Sequence, residues 1–552
     1  MSLETAVRSV GAADVGPDHT LTPLPAHWRS LARALVHQVR TRPRQVAMVD
    51  STGVSLTYGA TFMRALALGR ALSRELGPEP YVGVMLPPTV PAAVVNIALT
   101  LMGKIPINLN YTASQTLLNA SIEQAKIARV LTSHRVLDKF KLQTKGTLLL
   151  EEMPKKVTIL DKARAATIAK VVPIAALGAV LPGLRNDQLD DTATIIFTSG
   201  STGDPKGVVL SNRNILSNIH AIDTHLHLHP SEVVLGVLPL FHSMGFTVTL
   251  WTVLCLGKTS VFHFNPLDAR IIGTLCQTHK VSLLIGTPTF MRAYLSRCAP
   301  EQFATTNRVI LGAEKLKPGL ANEIRETLGI EPLEGYGCTE LSPVVSVNVD
   351  HERTTPDGRS VPGNRIGTVG MPLPGTSVRT VDPETGDVLP RGTEGLVEVK
   401  GPQVMVGYLD RPDATAKAIR DGWYSTGDLG MLDADGFLTI TDRLSRFSKI
   451  GGEMVPHLGV ESAIMQAAGV DETCLAVTSL PDVKRGERLV VLYTDLHAPP
   501  DEIYQRLTAG PLPKLWIPSA EAFVQVEALP VLGTGKLDLR QLRQIARERL
   551  DA

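Results

Sequence analysis

A chain of 552 residues is longer than a single hydrophobic core organises, so at least two domains are expected. At 44% hydrophobic and 20% charged it has the composition of a globular protein with ample apolar material for its cores. Lys and Arg (55) nearly balance Asp and Glu (54), which removes the charge signature of a nucleic-acid binder. Five cysteines, Cys255, Cys276, Cys298, Cys338 and Cys474, lack CxxC or paired spacing and read as core-filling thiols of a reduced, cytoplasmic protein. No run of about 18 uncharged apolar residues supports a membrane-spanning helix.

In chain order, residues 1–25 lack an apolar signal core and are expected to form a flexible leader. His27 to Val49 has helical periodicity, and the stretch SLTYGATFMRALALGRALSREL after it pairs a short strand with a long amphipathic helix. Val82–Leu86, an apolar run ended by Pro87 and Pro88, reads as a buried strand. The alternation of strand and helix signals predicts α/β layers. Residues 164–184 (RAATIAKVVPIAALGAVLPGL) are the most apolar long segment, interrupted by Lys170 and Pro173. A buried helix with a bend is the expectation there, and an exposed flap touching a bilayer surface is the alternative.

The stretch FTSGSTGDPKGV, residues 197–208, lies between the apolar runs Ala193–Phe197 and Val208–Leu210 and reads as a loop joining two strands. Thr198, Ser199, Gly200, Ser201, Thr202 and Gly203 can turn hydroxyls and backbone N–H groups toward one point, and Lys206 adds a mobile positive charge. Phosphate is the guest such a nest suits. The Walker pattern does not apply, because Pro205 precedes Lys206 and Gly207 follows it. The stretch closely resembles the signature of the adenylate-forming superfamily, which comprises acyl-CoA and acyl-carrier-protein synthetases, luciferases and peptide-synthetase adenylation domains. GKIPINLNYTAS, residues 103–114, resembles the acyl-carrier-protein synthetase branch.

Further along, Ser211 is placed to cap a helix over SNRNILSNIHAI. His225, His227 and His229 would share one face of a strand. With Pro230 next and no ligand spacing to a cysteine or carboxylate, they read as a solvated loop or strand end rather than a metal site. In LPLFHSMGF (238–246) the turn at His242 reads as a pocket wall, with a satisfied core histidine as the alternative. His263 and Asp268 fit an acyltransferase His-x4-Asp pattern by chance, and no fused acyltransferase domain is expected. Glycine turns follow at Leu311–Leu316 and Glu334–Glu340, where a flat base can pack against backbone.

The resemblance implies roles for these positions. His242 would sit beside the reacting carboxylate, with the neighbouring helix lining an acyl channel. Gly312, Ala313 and Glu314 would contact adenine, and Tyr336, between Gly335 and Gly337, would stack on it. Thr339 would bind the α-phosphate and Glu340 would hold Mg²⁺, a hard cation suited to carboxylate and phosphate oxygen. Asp428, in WYSTGD, would clamp the ribose together with Arg443. In the terminal region Gly452 matches a thioester-forming loop and Lys536 the adenylation lysine. The hinge position two residues after Arg443 is Ser445, where the family usually has Lys or Asp.

These assignments imply an N-terminal adenylation domain over 26–444 and a small α+β lid over 445–552. The implied fold is the α/β adenylate-forming fold, with β-sheets flanked by helices. The implied reaction converts ATP and a fatty acid to acyl-AMP and pyrophosphate, then passes the acyl group to a phosphopantetheine thiol. Acyl carrier protein is the expected acceptor, with CoA as the alternative and a non-catalytic acyl or nucleotide sensor as the reading from another class. Arg540, Arg543 and Arg547 share one helix face and would suit an acidic carrier protein, or simply solvent.

Overall fold

A computed structural model of the protein describes residues 21–199, 205–450, 453–470, 474–482, 484–510, 512–531 and 537–550. Its α/β architecture is as the sequence predicts. The largest sheet has nine strands, and its central strands, including Leu283–Gly286 and Arg308–Gly312, are parallel and buried, so their sequences are continuous apolar runs. A four-stranded parallel sheet is built around Tyr81–Val84. A three-stranded sheet carries Thr192–Ser199 against Pro205–Ser211, the pair expected to flank the phosphate loop. A five-stranded antiparallel sheet contains Trp423–Leu432 and Leu438–Arg443.

From Phe447 onward the chain forms a C-terminal subdomain. Its own five-stranded sheet joins Phe447–Ile450, Glu453–Pro456, Leu475–Asp482, Gly486–Tyr493 and Phe523–Gln525. Two apolar cores of its own cover the two sides, one around Ile450, Val460 and Ile503 and one around Val490, Leu542 and Ala546. Five apolar core clusters exist among the described residues, and the two of this subdomain draw on no residue before Ile450.

Several local expectations are corrected. The leader is packed from Leu21 onward: Leu24 joins the main core, and the Thr22 hydroxyl lies 2.9 Å from His220 Nε2. The helix expected over His27 to Val49 is confined to Leu31–Thr41. Pro43 intervenes, and the β-branched run Val46–Asp50 pairs with Thr259–Phe262 instead. Residues 164–184 do not form a bent buried helix. The helix Ile159–Lys170 stops before Pro173, short turns follow, and Val171 is 71% and Ile174 41% exposed. His225 lies in the helix Asn212–Leu226, where it is buried with Nε2 2.8 Å from the Val347 carbonyl, so the histidine row shares no strand face. Ser211 does cap that helix, in a reciprocal pair with Asn214.

Candidate active site

One cavity of about 2340 Å³ gathers most of the predicted site residues. The strand pair Thr192–Ser199 and Pro205–Ser211 delivers Thr198 and Lys206 to its wall, opposite each other in register. Thr198 and Lys206 are followed and preceded by the segment 200–204; Gly200, Ser201, Thr202 and Gly203 lie outside the described residues, and of Ser199 only the backbone is described. Gly312, Ala313, Gly335, Tyr336, Gly337, Thr339 and Glu340 line the same space. Their strands run side by side, with Gly312 paired to Gly335. A Cβ on Gly337 would stand 1.9 Å from the Pro343 carbonyl oxygen, so this turn admits only glycine. Ala313 adopts the left-handed conformation at φ 71°, an unfavourable one for a residue with a Cβ, at the edge of the cavity.

The polar end of the cavity is tied together by hydrogen bonds. The Ser243 and Thr339 hydroxyls are 3.3 Å apart, and the Tyr408 hydroxyl donates to Glu340 Oε1 at 2.9 Å. The Lys206 ammonium sits 5.1 Å from the centre of the Tyr408 ring, a cation–π arrangement that leaves its charge facing the cavity. Tyr408 is the residue that motif reading missed: it arrives with the short strand Gly407–Tyr408, which pairs with Val208 and Val209 behind the phosphate loop. Burial, together with the Glu340 charge, pushes its phenol well above the usual range and keeps it a donor.

Asp428 and Glu314 are not among the residues that line the cavity. Asp428 is 4% exposed and lies behind the lining. Its carboxylate accepts from the Tyr336 hydroxyl at 2.5 Å and from Arg443 Nε at 2.7 Å. These two groups use part of the capacity of the carboxylate, which when ionised offers about four acceptor sites in all. The charge of Asp428, with burial opposing, raises the Arg443 pKa further still, so this guanidinium stays cationic. Glu314 is not among the lining residues; its Oε2 accepts from the Thr289 backbone N–H and hydroxyl, at 3.2 and 2.7 Å. Thr289 does line the cavity.

Beyond His242 the lining turns apolar. His242 packs against Phe241 at a ring distance of 4.6 Å, and Met244 and Val248 carry the wall onward along the helical stretch Met244–Thr252. The C-terminal subdomain closes one side with Val531, Asp538 and Arg540. Lys536 and Gly452 lie outside the described residues, and Ser445 has a described backbone only, in the turn Leu444–Arg446. Among the described residues no group of three His, Cys, Asp or Glu side chains is placed to hold a metal. Glu340 alone fits the Mg²⁺ expectation, since Mg²⁺ is commonly held by one or two carboxylates together with phosphate oxygens and water.

A space with hydroxyls, a lysine and a carboxylate at one end and aliphatic walls at the other suits a phosphate-bearing group joined to an apolar one. The family model for AMP-binding enzymes matches residues 35–409. The chain belongs to the AMP-binding enzyme family. Among similar proteins, the long-chain-fatty-acid–CoA ligase of Salmonella typhimurium is 28% identical over 570 aligned positions, covering 96% of each chain. A feruloyl-CoA synthase of an Amycolatopsis species is 32% identical over 361 positions, covering 64% of this chain and 70% of its own. Among solved structures, ATP-bound MatB from Rhodopseudomonas palustris superposes with a TM-score of 0.75 at 26% identity, covering 94% of this chain and 99% of that one. The fold is therefore that of the adenylate-forming enzymes, and this AMP-binding enzyme carries both the nucleotide-facing and the apolar parts of its cavity in one continuous space.

Proposed function

We propose that the protein is a fatty acid–CoA ligase: it joins a fatty carboxylate to ATP as acyl-AMP, then transfers the acyl group to the CoA thiol. The observation that carries this is the continuity of the cavity from Thr198, Lys206, Thr339 and Glu340 to the aliphatic wall beyond His242. In the first step a carboxylate oxygen attacks the α-phosphorus and the bond to pyrophosphate breaks. Negative charge gathers on the phosphates, and Lys206 with the hydroxyls of Thr198 and Thr339 is positioned to offset it. Mg²⁺, held by Glu340 and the phosphate oxygens, would supply further charge neutralisation there. We assign Tyr336 and the glycine strands the role of a flat surface for the adenine, and Asp428 with Arg443 that of holding the ribose. In the second step the thiol sulfur bonds to the acyl carbon, AMP leaves, and the thiol proton passes to solvent.

CoA, rather than the acyl carrier protein that the sequence first suggests, is the acceptor of this reading. The named fatty-acid relative is a CoA ligase. Of the arginine row, Arg540 lines the cavity and Arg543 donates to Glu487 at 3.2 Å, while all three residues are exposed. We assign Lys536 the adenylation step, Gly452 the thioester step, and Ser445 the pivot between two arrangements of the 26–444 and 445–552 domains. Val171, Ile174 and Val180, exposed along the broken segment 164–184, support a peripheral contact with a membrane surface.

The test measures pyrophosphate release across saturated fatty acids, then thioester formation with CoA and with holo acyl carrier protein in parallel. Release that depends on a fatty acid, followed by thioester on CoA alone, is the expected result. Thioester on the carrier protein alone would restore the other acceptor, and release without any acyl dependence would overturn the reading. Lys536→Ala is expected to abolish acyl-AMP formation while thioester formation from supplied acyl-AMP survives.

A further inference from the structure

The apolar arm of the cavity has a floor. Along the helical stretch Met244–Thr252 the lining passes from Met244 to Val248 and Thr252, and then to Val253 and Lys258. Met244 follows Ser243, whose hydroxyl is 3.3 Å from Thr339 at the phosphate end, so the helix runs from the reacting end to the far end of the arm. The Lys258 backbone N–H donates to the Val253 carbonyl at 2.9 Å, which fixes the residue at the C-terminal end of that helix.

Lys258 is 3% exposed. Its ammonium donates to the backbone carbonyls of Leu228 at 3.1 Å and His229 at 2.9 Å, and lies 4.0 Å from Asp223 Oδ1. Two of the ammonium's donors thus meet backbone carbonyls, and Asp223 adds an ion pair at longer range. The four-carbon stem remains, and it is the part of a lysine that packs with apolar groups. A cation in this position would be costly without those partners. With them it is an anchored aliphatic plug.

The depth of the arm follows from the helix. The nine residue steps from Met244 to Val253 run almost wholly through a π-helix, which rises less per residue than the ~1.5 Å of an α-helix, so they span roughly 10–11 Å. An extended chain advances ~1.2 Å per bond, so ~9 bonds fill that depth.

Taking the fatty-acid reading above as its premise, we propose that Lys258 is the chain-length stop of this enzyme, its stem meeting the methyl end of the substrate and limiting efficient turnover to saturated acids of about eight to ten carbons. Longer acids must bend or displace the plug. Lys258 acts on which substrate fits and takes no part in the bond changes at the carboxylate.

The experiment is fatty-acid-dependent pyrophosphate release, measured as kcat/KM for saturated acids from hexanoate to stearate. Wild type is expected to peak at octanoate or decanoate and to be at least ~10-fold lower with palmitate. Lys258→Ala, which opens the floor by four side-chain bonds, should move the optimum longer by roughly two to four carbons. Lys258→Met keeps a stem of similar reach without the ammonium, and its optimum should stay where the wild type has it, even if its unfolding midpoint falls. Thr252→Phe, which adds a ring one step before the floor, should move the optimum shorter, and it serves if Lys258→Ala does not fold. A purely structural lysine would lower every chain length by one factor. A Lys258→Ala profile parallel to wild type therefore overturns the proposal, as does a Thr252→Phe profile with an unmoved optimum, or a wild type that takes palmitate as readily as decanoate. A wild type inactive with every acid overturns the fatty-acid reading instead.

Discussion

Replacing Asp428 separates what holds the site together from what would hold the nucleotide. Its buried carboxylate accepts from the Tyr336 hydroxyl and from Arg443 Nε. Asp428→Ala deletes both acceptors. Each hydrogen bond to a charged group contributes ~1.5–3 kcal/mol, an upper sum of ~3–6 kcal/mol. The Arg443 side chain is 56% exposed, so its share is screened toward the ~0–1 kcal/mol of a surface pair. The expected loss of stability is therefore about 2–3 kcal/mol. Asp428→Asn keeps the shape and one acceptor oxygen, and should cost about 1 kcal/mol.

Nucleotide binding should not follow that order. A ribose hydroxyl donating to this carboxylate would lose ~1.5–3 kcal/mol in either variant, or roughly 10–100-fold in the Kd for AMP. Urea unfolding midpoints with unchanged slope give the first quantity, and calorimetric titration with AMP gives the second. An Asn variant that binds AMP within about threefold of wild type would refute the ribose role of Asp428, because the structure would then need only its shape. Equal destabilisation by Asn and Ala would refute the argument from retained geometry.

Tyr408→Phe keeps the ring beside Lys206 and removes the hydroxyl that orients Glu340; kcat/KM for ATP should fall about tenfold, a charged-acceptor hydrogen bond, with the unfolding midpoint little changed. An unaltered ATP response at limiting Mg²⁺ would show that Glu340 needs no such orientation. Burial pushes the Glu334 carboxyl up to about 7, above its usual 4.5, so between those values the folded state binds more protons and stability falls as pH rises. Glu334→Gln keeps an acceptor for the Leu316 N–H and should remove that fall, gaining up to ~3 kcal/mol over wild type above pH ~8 and nothing below pH ~4.5; parallel stability–pH curves for the two proteins would contradict it. Val171→Lys with Ile174→Lys, at exposed positions, should change stability by less than ~0.5 kcal/mol each while reducing co-sedimentation with anionic vesicles. Unfolding without a binding change would remove the membrane contact.

The parts of the fold that could be read from the sequence are those in which local pattern and tertiary role agree. Apolar runs either side of a glycine and hydroxyl stretch gave the strand pair at Thr192–Ser199 and Pro205–Ser211, and Ser211 before a 3.6-residue period gave a helix start. Where several signals compete, reading fails. Residues 164–184 are apolar without a sustained period, and Pro173 and Pro182 each start a new short turn, so composition alone suggested a burial that the exposed Val171 contradicts. The histidine row suggested alternation, but the helix capped at Ser211 runs through His225 and takes that ring into the core. Contacts between distant segments leave no local trace at all. Tyr408 reaches Glu340 across 68 residues, and Asp428 reaches Tyr336 across 92.

The anchoring of the residues either side of Ser445 bears on how the two steps would share one cavity. Arg443 ends the strand Leu438–Arg443, paired in register with Asp428, and its side chain is held by the same aspartate. It therefore belongs to the N-terminal body. Arg446, three residues on, is ion-paired with Glu461 in the helix His457–Ala468, with both side chains at most 15% exposed. That pair belongs to the C-terminal subdomain, and breaking it would leave a charge in a mostly dry site. A pivot at Arg446 would strain this contact, whereas rotation at Leu444 or Ser445 leaves both anchors intact. The tie across the two bodies at Lys449 and Glu384 is 3.6 Å long between exposed side chains, an interaction of small net strength. It also sets the strand Phe447–Ile450 near Glu384, while Val531 and Asp538, which flank Lys536 in the sequence, line the cavity. On the roles proposed for Lys536 and Gly452, this arrangement suits the adenylation step, and the thioester step would need the segment of Gly452 to replace that of Lys536 at the cavity. A subdomain with two cores of its own can make such a turn as one piece, which is why the proposed pivot needs only a residue or two of free backbone at Ser445.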